Sequence, residues 1–308
     1  MGREWRWKTD EPEMLVNGAI EKHVSMINEL KGLPGLITER WHAAFTPRHC
    51  ALSLVGEPIM YPHINQFVRL LHEKEISSFL VTNAQFPDKI AELEPLTQLY
   101  VSVDAASKES LREVDRPLFK DFWERFLSCL QQLKKKGQRT VYRMTLVKAY
   151  NMEEVNGYVD LINVGEPDFI EVKGVTFCGK SDGSDLTMKN VPWHTEVRAF
   201  AAALSKATGN RYGLAAEHEH SCCILLAKQE YNIDGHWHTW IDYDKFHLLV
   251  KQFYADGTPF VARDYMARTP AWALYDAPEH GFDPIETRFR RTKNGKLKEN
   301  NYDDIGCG

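Results

Sequence analysis

Residues 51–62, ALSLVGEPIMYP, read as a strand that stops abruptly. Ala51 to Val55 are small or apolar, and Gly56-Glu57-Pro58 breaks the run before a second apolar segment. An acid held between glycine and proline, just past a buried strand, is costly unless something meets its charge. The pattern around it recurs downstream. Apolar β-rich runs at 49–55, 78–83, 98–104, 140–148 and 169–176 alternate with amphipathic stretches such as 64–74 and 120–136. Near-continuous apolar strands separated by helices predict an α/β fold with a parallel sheet under a helical layer. The sheet is either a barrel or an open doubly wound sheet.

The 308 residues suffice for one large domain or two ordinary ones. With 43% hydrophobic and 26% charged residues the chain is globular in composition, and no apolar run is long enough to cross a bilayer. The opening residues, MGREWRWKTDEPEM, do not form a signal peptide. Six unevenly spaced cysteines point to reduced thiols and a cytoplasmic location rather than a disulfide framework. A net charge of −5 excludes a surface that grips nucleic acid everywhere, while leaving room for a local basic patch.

The first element is expected to be a helix over 12–31, capped by Thr9 or Asp10. Its apolar face of Leu15, Ile20, Val24, Ile27 and Leu30 asks for a sheet, yet no strand precedes it. The chain is therefore expected to begin inside a βα unit. After Thr176 the rhythm changes to a polar loop (179–189), a helix (193–207), two β-like stretches (212–228 and 235–243), and a helix ending near Tyr254. Three parts are expected: a partial barrel over 1–190, an α+β extension over 191–254, and an irregular tail over 255–308.

In parallel α/β folds chemistry collects where the strands end, because loops there vary without disturbing the core. The five strands deliver Gly56-Glu57-Pro58, then Thr82-Asn83, then Ser102 and Asp104, then Arg143, and finally Glu171 and Lys173. Lys148 and Asn151 follow the fourth strand. Polar barrel residues often pair with one another, as Arg143 with Glu171 would. Convergence from five strands instead suits a small ligand bearing an ammonium, a carboxylate and a ribose. Lys148 and Lys173 fit either Schiff-base chemistry, as in an aldolase-like lyase, or simple charge pairing. On a strand, His218, His220 and Cys222 of EHEHSCC would share one face as zinc ligands; His236 and His238 are a weaker set. Arg288, Arg290, Arg291 and Lys293 head a basic run that is either a solvated tail or a strap for RNA phosphates. Trp193, Trp237, Trp240 and Trp272 are core residues or stacking surfaces for an extruded base.

SLVGEPIMYPHI, FLVTNAQFP, LYVSVDAASKESL, DRPLFKDFWERF, RTVYRMTLVKAYN, PDFIEVKGVTFCG, VPWHTEV, EHEHSCC and ARTPAWAL occur in this order between Glu4 and Pro284. Together they resemble the radical S-adenosylmethionine enzymes of wybutosine synthesis, the tRNA 4-demethylwyosine synthases. The resemblance implies a partial (βα) barrel that lacks its first strand here and binds S-adenosylmethionine at the strand ends. Glu57 would meet the methionyl ammonium, with Gly56 and Pro58 shaping the turn. Thr82, Asn83, Ser102, Asp104 and Arg143 would line the rest of the cofactor site. The implied partners are phenylalanine tRNA bearing 1-methylguanosine, pyruvate, and a reductase or flavin domain as electron donor. Such enzymes carry a 4Fe-4S cluster on Cys-x3-Cys-x2-Cys. The cysteines here stand at 50, 129, 178, 222, 223 and 307, and no three have that spacing. The expectation is a chain that starts after its cluster ligands and is inert alone. The alternative is a cluster-less remnant that binds only tRNA or cofactor.

Overall fold

The computed structural model describes residues 8–53, 56–179 and 185–285, together with the backbone of 289–291 and 297–299. Five parallel strands follow one another in chain order: β1 (His49–Leu52), β2 (Ser77–Thr82), β3 (Gln98–Ser102), β4 (Thr140–Leu146) and β5 (Phe169–Gly174). Two antiparallel strands, β6 (Tyr212–His218) and β7 (Cys223–Lys228), complete a seven-stranded sheet of order β1-β2-β3-β4-β5-β7-β6. The sheet thus runs on past residue 190, where the sequence suggested a boundary. The expected β-like stretch over 212–228 is two strands. They are separated by a turn at Glu219–Ser221 and by Cys222, whose φ is +46°.

The alternation of side chains along the strands sorts the core into two layers. Leu80, Leu99, Val101, Tyr142, Met144, Ile170, Val172 and Leu226 face helices. These helices are α3 (Ile64–Glu73), α6 (Phe122–Leu133), α7 (Val155–Gly165) and α8 (His194–Ala207). They contribute Val68, Phe126, Leu130, Ile162, Phe200 and Leu204 to the layer.

The opposite face of the sheet is built in tiers. Tyr100, Val141, Phe169 and Ala227 form one cross-strand row. This row is sealed by Tyr231, Ile241, Phe246, Val250, Phe260 and Tyr265 from the carboxyl-terminal segment, in which α9 (Tyr243–Asp256) is the main helix. Two residues further along each strand the row reads Ser102, Arg143, Glu171 and Leu225. The next reads Thr145, Lys173 and Cys223. The interior therefore rises from an apolar floor to a polar mouth.

Two buried residues fasten the floor. Arg139 lays its guanidinium 3.8 Å from the Phe169 ring centroid and donates to the Thr239 carbonyl at 2.8 Å. The Tyr265 hydroxyl accepts the Arg139 N–H at 2.8 Å and donates to the Thr97 carbonyl at 2.9 Å. The first helix, α1 (Pro12–Glu29), departs from expectation. Glu11 takes the capping position without a side-chain bond. Val16 and Ile20 pack on Leu71 and Ile76, so the apolar face meets α3 and the start of β2 instead of lying across a sheet.

Candidate functional site

Two cavities lie along the strand ends. The first, ≈ 390 Å³, is lined by Glu57, Asn83, Ser102 and Asp104 from the ends of β1 to β3, by Asp115 at the end of α5 (Lys108–Asp115), and by Arg116 and Phe119 from the loop after it. The second, ≈ 710 Å³, lies beyond β4, β5 and the start of β7 and includes Lys148, Lys173, Lys189, Trp193, His220 and Cys222. Their charges are opposite. Three carboxylates and one arginine line the first, whereas three lysines and a histidine, with no acid, line the second.

Glu57 is where the sequence placed it. Gly56 adopts φ +99°, a conformation that suits glycine, and this turns the chain out of the strand. No atom lies within 4 Å of where a Cβ would sit, so the demand is conformational rather than steric. Pro58 opens a short 3-10 turn through Met60 that pins fully buried Ile59. The Asn83 backbone N–H donates to Glu57 Oε2 at 3.0 Å, while Oε1 is buried with no hydrogen-bond partner. Burial pushes the Glu57 carboxyl above its ordinary range, and hydrogen bonding from Asn83 and Thr82 pulls it partly back. An unsatisfied buried acceptor of this kind needs a donor.

The remaining residues divide. Asp104 Oδ1 accepts the Thr145 N–H at 3.2 Å; burial raises its pKa, and bonds from Thr145 and the charge of Arg143 oppose the rise. Asn151, 1% exposed, donates to the carbonyls of Asp104 and Thr145 at 2.7 Å each and ties β3 to β4 just where the cavity begins. Thr82 is buried behind the wall, and its hydroxyl accepts from Ala84 N–H at 3.2 Å. Arg143 lines neither cavity; its Nε lies 3.5 Å from Glu171 Oε1.

The two lysines share the second cavity but differ. Lys148 Nζ pairs with Glu196 Oε2 at 2.6 Å, and the same oxygen accepts the Trp193 N–H at 2.6 Å. Among the described residues Lys173 makes no ion pair. The EHEHSCC set does not sit on one strand face. His218 ends β6, His220 lies in the turn, and Cys222 follows in a left-handed conformation. His218 Nδ1 lies 2.7 Å from Ser221 Oγ. Among the described residues no three His, Cys, Asp or Glu side chains group so as to hold a metal ion. Arg288 and Lys293 fall outside the described residues, and Arg290 and Arg291 are described only as backbone of a short strand pair. Sequence reading missed the Asp115-Arg116 rim and the Glu196 bridge. DRP at a helix end was the visible signal for the first; an i, i+3 relation to Trp193 hid the second.

Residues 39–162 match the family description "Radical SAM superfamily", and residues 164–228 match "Wyosine base formation". The chain is 58% identical over 294 residues to the S-adenosyl-L-methionine-dependent tRNA 4-demethylwyosine synthase of Oryza sativa subsp. japonica, covering 95% of this chain and 44% of the relative. The Homo sapiens synthase TYW1 is 57% identical over 298 residues, covering 96% and 41% respectively. Among solved structures, one described as TYW1 with a lysine-pyruvate adduct bound superposes with a TM-score of 0.66 at 30% identity, covering 72% of this chain and 71% of that one. The chain belongs to the radical S-adenosylmethionine tRNA 4-demethylwyosine synthase family.

The chain spans less than half the length of these curated synthases. The family implies S-adenosylmethionine and an iron-sulfur cluster. The acidic cavity fits the first, because Glu57 Oε1 is a buried acceptor without a partner and three carboxylates against one arginine line the space. The described cysteines do not fit the second. Cys50, Cys129, Cys178, Cys222 and Cys223 include only one adjacent pair and no grouped third thiol. Among the described residues no helix is long and apolar enough to cross a membrane.

Proposed function

We propose that this chain is the ligand-handling core of a tRNA 4-demethylwyosine synthase, converting 1-methylguanosine of phenylalanine tRNA with pyruvate. The opposite charge of two cavities on one row of strand ends carries this reading. The acidic cavity takes the methionine-sulfonium part of S-adenosylmethionine, whose sulfonium and ammonium outweigh its one carboxylate and which supplies the adenosyl group used by radical chemistry in this family. Glu57 accepts the ammonium through Oε1, and Ser102 and Asp104 serve the polar remainder. The basic cavity takes the pyruvate anion. A reductase or flavin domain is the electron donor, and the cytoplasm the compartment.

Lys173 is the better nucleophile of the pair. Attack on the pyruvate carbonyl requires a neutral amine; it forms a carbinolamine and then an imine with loss of water. Lys148 is already engaged by a carboxylate, Glu196 Oε2 at 2.6 Å, and its part is to bind the pyruvate carboxylate. The lysine-pyruvate adduct named for the related structure supports a lysine in this role. The test is to incubate the chain with pyruvate and cyanoborohydride and map the carboxyethylated peptide. Labelling at Lys173, lost in Lys173→Ala, is expected. Labelling at neither lysine would sink the reading, and labelling at Lys148 alone would exchange their roles.

A further inference from the structure

The methionine end of S-adenosylmethionine carries an ammonium, a sulfonium and a carboxylate. Three acids lining the first cavity suit the two cations, and the carboxylate needs a cation of its own. Arg143 does not supply it, because it lines neither cavity and its Nε lies 3.5 Å from Glu171 Oε1. Arg116 is the one cation among the described residues that line this cavity. Its side chain makes no hydrogen bond or ion pair with any described residue, although three acids line the same space.

Arg116 ends α5 at φ +48°, in the left-handed region where glycine is the usual residue. A long side chain is thus kept here against the local backbone preference, as happens at ligand clamps. The loop that follows is fixed from outside. The Phe119 ring meets the Phe86 ring edge-on at 5.7 Å, and the Arg125 guanidinium lies 4.1 Å from the Phe119 centroid. Arg125 also donates to the Gln85 carbonyl at 3.2 Å. The same 83–86 segment donates the Asn83 N–H to Glu57, so the walls bearing Arg116 and Glu57 are tied through one loop.

We infer that Arg116 binds the carboxylate of S-adenosylmethionine while Glu57 Oε1 takes its ammonium. The cavity then reads the ligand's zwitterionic amino-acid end with one placed charge of each sign. This assignment rests on the reading of the acidic cavity as the S-adenosylmethionine site and adds the residue that holds the ligand's one anion. A planar guanidinium presents two parallel N–H donors to a carboxylate, a fit that a lone ammonium lacks. The other two acids, Asp104 and Asp115, would on their own favour a ligand with no anion at all.

The test compares two ligands by titration calorimetry on the whole chain: S-adenosylmethionine, and its decarboxylated form, which keeps the ammonium and the sulfonium. Arg116→Gln should weaken binding of the first by about 10-fold, near the lower limit for a charge-assisted bond because the guanidinium sits at an exposed rim. Binding of the decarboxylated ligand should stay level or tighten, since a repelling cation is gone. Arg116→Lys should restore part of the loss, and thermal melts check that both variants fold. Equal losses for the two ligands, or no loss for either, overturn the assignment. Glu57→Gln reads the underlying site, since both ligands carry the ammonium and should weaken together. Weakening there without a selective effect of Arg116→Gln removes Arg116 alone. Ligands that are indifferent to Glu57→Gln, or that do not bind, overturn the reading of the site, and the assignment falls with it.

Discussion

Replacing Glu57 by glutamine should make the ligand-free protein more stable and the cofactor site worse. The carboxylate is 8% exposed, one oxygen is held by Asn83 N–H, and the other is buried without a partner. Leaving a buried polar group unsatisfied costs about 1–3 kcal/mol, and more when it is charged. The glutamine carbonyl keeps the Asn83 bond and its NH2 takes the unpartnered position, so only the cost of burying the charge is relieved and a gain of about 1 kcal/mol is expected at neutral pH. For a chain of 308 residues that is a rise in melting temperature of about 1–2 °C. The gain is pH-dependent. Burial raises the folded carboxyl above its ordinary value of 4.5, so between the unfolded and folded pKa values the folded state holds more protons. Wild-type stability relative to the variant therefore falls as pH rises through that window, and the two curves converge at acid pH where Glu57 is neutral. Calorimetric melts at several pH values measure the gap. Titration with S-adenosylmethionine should meanwhile show affinity falling about 10- to 150-fold, the worth of one charge-assisted bond. A variant less stable than wild type at pH 7, or a gap indifferent to pH, would refute the reasoning.

Two further outcomes are expected away from the ligands. Tyr265→Phe removes the hydroxyl that links Arg139 N–H to the Thr97 carbonyl and strands both buried groups, so unfolding by urea should register a loss of about 1–3 kcal/mol with catalytic chemistry untouched. His72 is buried against Ser78 and Tyr254, and burial with the neighbouring His247 holds its pKa down at about 3 against an ordinary 6.5. The unfolded chain takes up that proton first, so stability should decline by up to about 1.4 kcal/mol per unit as pH drops from 6.5 toward 3. A His72→Gln variant with an equally steep decline would show that another group is responsible.

Much of this arrangement was legible before any coordinates. The five parallel strands announce themselves because both of their faces are covered, which leaves near-continuous apolar runs. Gly56-Glu57-Pro58 announces the first cavity because a charge so placed is costly. What the sequence hid depends on pairings between distant segments. Arg143 read either as a carboxylate binder or as a partner of Glu171, and only strand register, which sets the two opposite each other, separates these readings. EHEHSCC reads as alternation, but a turn interrupts it and a left-handed Cys222 destroys the common face. The apolar face of α1 was visible, while its partner, α3, follows from three-dimensional packing alone. Trp193 could not be told from the half-buried Trp237 and Trp272 by composition, since exposure belongs to the folded chain.

The apolar floor has a practical corollary for anyone trimming this protein. The matched family regions end at residue 228, and a chain cut there would keep all seven strands of the sheet and every residue lining either cavity. It would also strip Ile241, Phe246, Val250, Phe260 and Tyr265 from the underside and lay Tyr100, Val141 and Phe169 open to water. Such a fragment should be insoluble rather than merely inactive. The smallest piece that folds is set by residues that never meet a ligand, and it reaches at least to Tyr265, well past the last residue with any part in the chemistry.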